Sequence, residues 1–333
     1  MKRLVALLVS LGILGIIYWR MDVARIGPVF RNCDPLWLGL SLGLLVPLIW
    51  MTAWRLVQLM PGGARLGIGE SNRLTLAASV LNLVLPSKMG DLAKAWFIKE
   101  RGHASASLAL ALVVFEKTCD LLSLLLWCAF GLLLYPQKDA LFWIMTAGVM
   151  VGLAGGVALL GSPALAGLAF RAGARLAPAR ARTKLEQLQL AWREMHAYFW
   201  HDRARLALVC ATSIFIWFLH LLQIWMFILA LRAHAPFLAS LALAPLAILA
   251  GLLPLTLAGI GTRDAALILF YHPFLDAPTA AALGILCTLR YVLPAVGGLP
   301  FVPRYLPGLK LARKSLSEKN GEKIGRGKSS KCL

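Results

Sequence analysis

The sequence predicts an all-α, polytopic membrane protein with about six full spans and two re-entrant helix pairs broken by proline and glycine. Three observations carry this. Of 333 residues, 59% are hydrophobic and only 15% charged, whereas soluble domains hold about 45–50% apolar and about 25% charged residues. Six stretches, residues 4–19, 36–58, 105–134, 140–161, 206–231 and 279–302, are long or apolar enough for a hydrocarbon core of about 30 Å. The net charge of +19 is distributed by topology. With the amino terminus inside, 25 Lys and Arg fall on one side and five, Arg20, Arg25, Arg31, Lys138 and Arg232, on the other. That bias puts both termini in the cytoplasm of a cell inner (plasma) membrane protein, and the positive charge reads as a membrane face that attracts anionic lipid. It is not read as a nucleic-acid footprint.

The first stretch follows Lys2 and Arg3 and ends in Tyr18-Trp19-Arg20, an interfacial anchor, with no small-residue cleavage site after it. It therefore reads as a retained span. Gly62-Gly63 and Gly67-Ile68-Gly69 read as a turn, and Arg55, near the inner end of its span, reads as snorkelling to the interface. Residues 1–303 form the transmembrane domain, with candidate repeat halves 36–161 and 206–303. Residues 162–205 form a basic connector on the cytoplasmic side. Within it Leu185, Leu188, Trp192, Met195 and Phe199 recur at three- and four-residue spacing, which fits either a helix in the headgroup layer or one packed on the protein. The tail, 304–333, is basic, poor in apolar residues and aperiodic, the composition of a disordered segment.

Two apolar segments do not read as plain spans. Residues 74–85, about 12 in number and too short to cross, meet Pro86-Ser87-Lys88-Met89-Gly90-Asp91 before a second short arm, 92–99. Residues 237–253 meet Pro254-Leu255-Thr256-Leu257-Ala258-Gly259-Ile260-Gly261-Thr262-Arg263-Asp264 before 265–275. Broken backbone at membrane depth is tolerated only against protein or a wet cavity. By the loop topology the two pairs enter from opposite sides, the pattern of an inverted repeat with a site near the midplane.

Charges lie where charges are costly. Glu116, Lys117 and Asp120 sit within 105–134, and Glu116 is roughly 16 Å from the start of that stretch at 1.5 Å per residue. Each charge at such depth costs at least about 2.5–3.5 kcal/mol, so all three need partners or water. Glu116 and Asp120, four apart, share a helix face and repel unless a cation or proton lies between them. With the candidate partners they define a polar cavity of Asn82, Lys88, Asp91, Lys94, Glu116, Lys117, Asp120, Arg263, Asp264 and Arg290, to bind a headgroup or ion. For any of these the alternative is a network that only fixes helix packing. Asn82 could be an interhelical hydrogen bond, and Asp264 a cap for the arm after it.

No catalytic constellation, P-loop or nucleophile elbow is present. The cysteines, Cys33, Cys119, Cys128, Cys210, Cys287 and Cys332, lack paired spacing and read as small buried hydrophobes. With scattered histidines they suggest no metal and no cofactor.

Three motifs together resemble a family. Asn82-Leu83-Val84-Leu85-Pro86-Ser87-Lys88-Met89-Gly90-Asp91 resembles its N-x-x-x-P-x-x-x-G-[DE], Phe115-Glu116-Lys117-Thr118-Cys119-Asp120 its E-R-x-x-D, and the stretch from Leu253-Pro254 to Arg263-Asp264 its late L-P…G-x-G-x-R-E. The family is the transmembrane region of lysylphosphatidylglycerol synthases and the flippase-like membrane proteins related to it, including those of hopanoid and dolichol-type lipid metabolism. Lys117 stands where that family usually has Arg, Asp264 where it has Glu, and Lys94 near a usual Arg. The charge signs survive, but a bidentate Arg fork does not.

The resemblance implies membrane lipid as cargo and a lipid translocase as the function. In the synthases aminoacyl transfer belongs to a separate soluble domain, and no such domain is expected in the basic stretch after Pro303. The alternatives are a membrane-embedded lipid-modifying transferase and a non-transporting scaffold for a lipid-synthesis enzyme partner.

Overall fold

The computed structural model describes residues 25–60, 66–84, 90–101, 104–135, 138–176, 179–252 and 259–305, together with Gly12 and Gly15. Most of the stretch 4–19, residues 85–89 with Lys88, residues 253–258 with Pro254, and the tail beyond 305 lie outside the described residues. The helices are α1 (Ile26–Arg31), α2 (Pro35–Gly43), α3 (Leu45–Leu59), α4 (Ile68–Val84), α5 (Gly90–Glu100), α6 (Ala106–Leu134), α7 (Ala140–Gly161), α8 (Pro163–Leu176), α9 (Ala179–His201), α10 (Arg203–Ala230), α11 (Phe237–Gly251), α12 (Thr262–Tyr271) and α13 (Ala277–Gly298). A 3-10 turn, Leu299–Arg304, follows. Among the described residues there is no strand, and the fold is the all-α polytopic one.

Four helical stretches are long and apolar enough to cross a membrane: Pro35–Leu59, Ala140–Gly161, Arg203–Ala230 and Ala277–Arg304. At 29 residues, α6 reaches about 43 Å and carries Glu116, Lys117 and Asp120 along its length. The surface agrees with a lipid solvent. In α7 only Phe142 and Val149 are buried, while Trp143, Ile144 and Val151 are 63%, 70% and 73% exposed. A helix that turns its large apolar side chains outward is stable only where the surroundings are apolar too.

Several carboxylates in the loops start helices. Asp34, Asp139, Asp202 and Asp276 each accept a backbone N–H of the first turn of α2, α7, α10 and α13, satisfying donors that would otherwise be orphaned. The stretch 36–58, expected as one helix, is interrupted at Leu44. Pro47 lacks the N–H that Gly43 would accept four residues earlier. The glycine stretch also differs from expectation: α4 starts at Ile68, so Gly69 lies within its first turn, while Gly62 and Gly63 lie outside the described residues.

Each broken pair folds back on itself. α4 packs against α5, and α11 against α12. The return is tight enough that a Cβ on Gly90 would overlap the backbone of Ala78, Leu81 and Asn82, and one on Gly259 the carbonyl of Gly251. Gly259 and Gly261 have φ of +78° and +104°, a region that side-chain-bearing residues avoid. The first arm is longer than expected, 17 residues from Ile68, because polar Glu70, Ser71 and Asn72 are carried into the helix.

Among the described residues two large apolar cores result, beside a small cluster of Leu48, Ile216 and Leu219. One gathers α4, α5, the first half of α6 and α9, and the other the second half of α6 with α10 to α13. α6 runs through both, and its charged residues fall between Phe115 of the first core and Leu124 of the second. In the connector, Trp192, Met195 and Phe199 are each 1% exposed, and Phe199 stacks on Phe115 of α6 at 4.6 Å. That apolar face is buried on protein, while Arg182 and Arg193 face outward.

Candidate functional site

The two carboxylates of α6 meet cations from α3, from α5 and from α6 itself. Arg55 of α3 is 1% exposed, and its guanidinium lies between the two carboxylates that share a face of α6. One nitrogen donates to Asp120 Oδ1 at 2.5 Å and to Ser213 Oγ at 2.8 Å, and the other to Glu116 Oε1 at 3.0 Å. The cation required between Glu116 and Asp120 is thus supplied by an arginine read from the sequence as snorkelling. That expectation is corrected: the side chain turns inward because two buried carboxylates on the adjoining helix need two donors held in a fork.

Lys94 of α5, also 1% exposed, reaches Glu116 Oε1 at 3.2 Å and Asp91 Oδ1 at 3.3 Å. Lys117 bridges Asp91 Oδ2 at 2.8 Å and Asp120 Oδ2 at 3.0 Å. Asn82 accepts the Asp91 N–H at 3.2 Å, pinning the end of α4 to the start of α5. Arg55, Lys94 and Lys117 therefore face Asp91, Glu116 and Asp120 in a ring of equal and opposite charge. Such a ring lowers the cost of burial only while every member is present.

The ring forms one wall of a cavity of about 500 Å³, within the usual size range of small-molecule sites. Leu45, Leu48, Ile49 and Leu252 give it apolar walls, and Asn82, Asp91, Lys94, Lys117 and Asp120 line its polar part. Arg290 of α13 also lines it. This side chain is 3% exposed and donates to the His220 carbonyl at 3.3 Å and to the Tyr291 hydroxyl at 2.8 Å. Its Nε has no hydrogen-bond partner, and among the described residues no carboxylate pairs with it.

The expected site divides in two. Asn82, Asp91, Lys94, Lys117, Asp120 and Arg290 line the cavity, and Glu116, fully buried, joins them through Lys94. Arg263 and Asp264 do not line it and form a separate buried pair. Arg263 donates to Asp264 Oδ1 at 2.6 Å, to the Gly284 carbonyl at 3.0 Å and to Thr288 Oγ1 at 2.7 Å, while Asp264 Oδ2 accepts the Gly261 N–H at 3.0 Å. This pair ties α12 to α13 and caps α12, the structural role open to Asp264 from the start. Sequence reasoning passed over Arg55 as a site residue. Its signal was present in the two like charges, four apart on a buried face, which demand a forked cation nearby. Among the described residues, no group of three His, Cys, Asp or Glu could hold a metal ion.

A helical integral membrane protein with an ion-paired polar cavity is the class these features define. Residues 3–298 match the family model described as the lysylphosphatidylglycerol synthase TM region, and the chain belongs to that family. No curated protein matches the chain.

Proposed function

We propose that the protein is a lipid translocase of the inner (plasma) membrane, flippase-like, with both termini in the cytoplasm, and that the cavity holds a lipid headgroup. The observation that carries this reading is the joining of apolar walls to a buried charged ring in one cavity, a shape matched to an amphiphile. Asn82, Asp91, Lys94, Glu116, Lys117, Asp120 and Arg290 are its site residues, with Lys88 by its place in the sequence, and Arg263 and Asp264 hold the second broken pair in place.

An inverted repeat of halves 36–161 and 206–303 belongs to the same proposal. It is supported by reciprocal packing: α4 of the first pair seats on α13, and α11 of the second on α6. Both contacts are so close that a Cβ on Gly298 would overlap the Leu76 carbonyl, and one on Gly131 the Ala242 carbonyl. The exposed arginines of the connector and the basic tail would meet anionic lipid at the cytoplasmic face.

The test is headgroup accessibility in proteoliposomes holding fluorescent phospholipid. A Lys117→Gln/Asp120→Asn variant removes three of the ring's six ion pairs and preserves net charge, so it is expected to slow exchange between leaflets at unchanged incorporation. Equal rates in wild type and variant would refute the mechanism.

A further inference from the structure

The cavity can be read further for the kind of headgroup it accepts, an inference that rests on the lipid-binding reading above. Every carboxylate of the ring is already engaged: Asp91 by Lys94 and Lys117, Glu116 by Arg55 and Lys94, Asp120 by Arg55 and Lys117. The one ring oxygen without a hydrogen-bond partner, Glu116 Oε2, belongs to a side chain that does not line the cavity, so an ammonium group entering it would meet only paired carboxylates and would have to displace a lysine or arginine. The cations are in excess. Arg55, Lys94, Lys117 and Arg290 oppose Asp91, Glu116 and Asp120, leaving one positive charge among the described residues.

That surplus has an address. Arg290 is buried, lines the cavity, and among the described residues is held by the His220 carbonyl and by the hydroxyl and ring of Tyr291, with its Nε unpartnered. A buried guanidinium without a counter-ion is costly and matches a phosphate oxygen in charge and geometry. Lys117, whose side chain is 39% exposed and which also lines the cavity, is the nearest in kind to a second donor.

We infer that the cavity selects a singly anionic phosphodiester headgroup, anchored on Arg290, against headgroups that carry an added ammonium. Charge selection is then a difference of affinities: the phosphate gains a buried charge-assisted bond, whereas the ammonium meets a site already net positive.

The experiment measures binding to the full-length protein in detergent by native mass spectrometry. Four probes are offered at equal concentration: phosphatidylglycerol, phosphatidylcholine, lysyl-phosphatidylglycerol and free glycerol 3-phosphate. Phosphatidylglycerol is expected to bind at least about tenfold tighter than the zwitterionic or aminoacylated lipid, the scale of one buried charge-assisted bond. Arg290→Gln is expected to abolish that preference and Arg290→Lys to keep most of it, with thermal melting showing that both variants fold. Lysyl-phosphatidylglycerol or phosphatidylcholine binding as tightly as phosphatidylglycerol overturns the charge class while leaving a lipid site intact. A preference unchanged in Arg290→Gln overturns the anchor. If glycerol 3-phosphate binds as tightly as the lipid and with the same dependence on Arg290, the anion selection stands and the lipid reading falls. Binding of none of the four overturns both.

Discussion

Replacing Arg55 by Met should be among the most damaging single changes available to this protein. Arg55 contributes two of the ring's six ion pairs and is the only donor among the described residues that reaches both Glu116 and Asp120. Met fills a similar volume, so the packing term is small and the loss is electrostatic. The ring passes from three cations against three carboxylates to two against three. Removing one partner of a buried pair costs about 3–5 kcal/mol. At about 2–4 °C per kcal/mol for a large domain, the melting temperature should fall by about 10 °C, read from intrinsic tryptophan fluorescence of the detergent-solubilised protein. Adding Asp120→Asn returns the ring to two cations against two carboxylates and should recover part of the loss, so that the double-mutant cycle shows coupling between the sites. Arg55→Lys keeps the charge but cannot present a fork to two carboxylates, and should fall between. An Arg55→Met protein melting within a degree of wild type, or additive effects in the double variant, would refute the ring as a mutually dependent unit.

Two further outcomes follow from packing. Gly131→Ala and Gly298→Ala each force a Cβ into a carbonyl of the helix opposite. Overpacking of about 1–3 kcal/mol should outweigh the gain of about 1 kcal/mol in helix propensity, whereas Gly148→Ala on α7, with nothing within 4 Å, should be neutral or stabilising in the same melting assay. Trp192→Ala should cost about 3–5 kcal/mol, with added loss of the Nε1 bond to the Leu159 carbonyl at 3.3 Å. A negligible effect would mean that the connector does not depend on its seat against α6.

The parts that were legible in the sequence are those where physics leaves few choices. Proline followed by glycine and an acidic residue in an apolar arm leaves little beyond a broken helix, and both pairs occur where the sequence placed them. Glu116, Lys117 and Asp120 in a 29-residue helix had to have partners. What could not be read was which cation came from where. Arg55 near a span end satisfies hydropathy equally well by snorkelling, and only the approach of α3 to α6 decides. The spacing of Trp192, Met195 and Phe199 is the same whether the face meets lipid or protein, because both are apolar. Arg263 and Asp264, adjacent in sequence, were placed in the cavity on charge alone. The capping geometry at Gly261 instead turns them toward each other and toward α13.

The order of the ring's members along the chain bears on how the protein is made. Arg55, Asp91 and Lys94 all precede α6, so when its charged turn leaves the ribosome the neutralising side chains have already been synthesised. α6 can therefore enter the bilayer with its charges matched. The first broken pair has the opposite schedule: α4 seats on Gly298 near the far end of the described chain. Its place is provisional until α13 arrives, so completion of the cavity is tied to a late stage of synthesis, and a chain cut short before α13 would be inserted but unclosed.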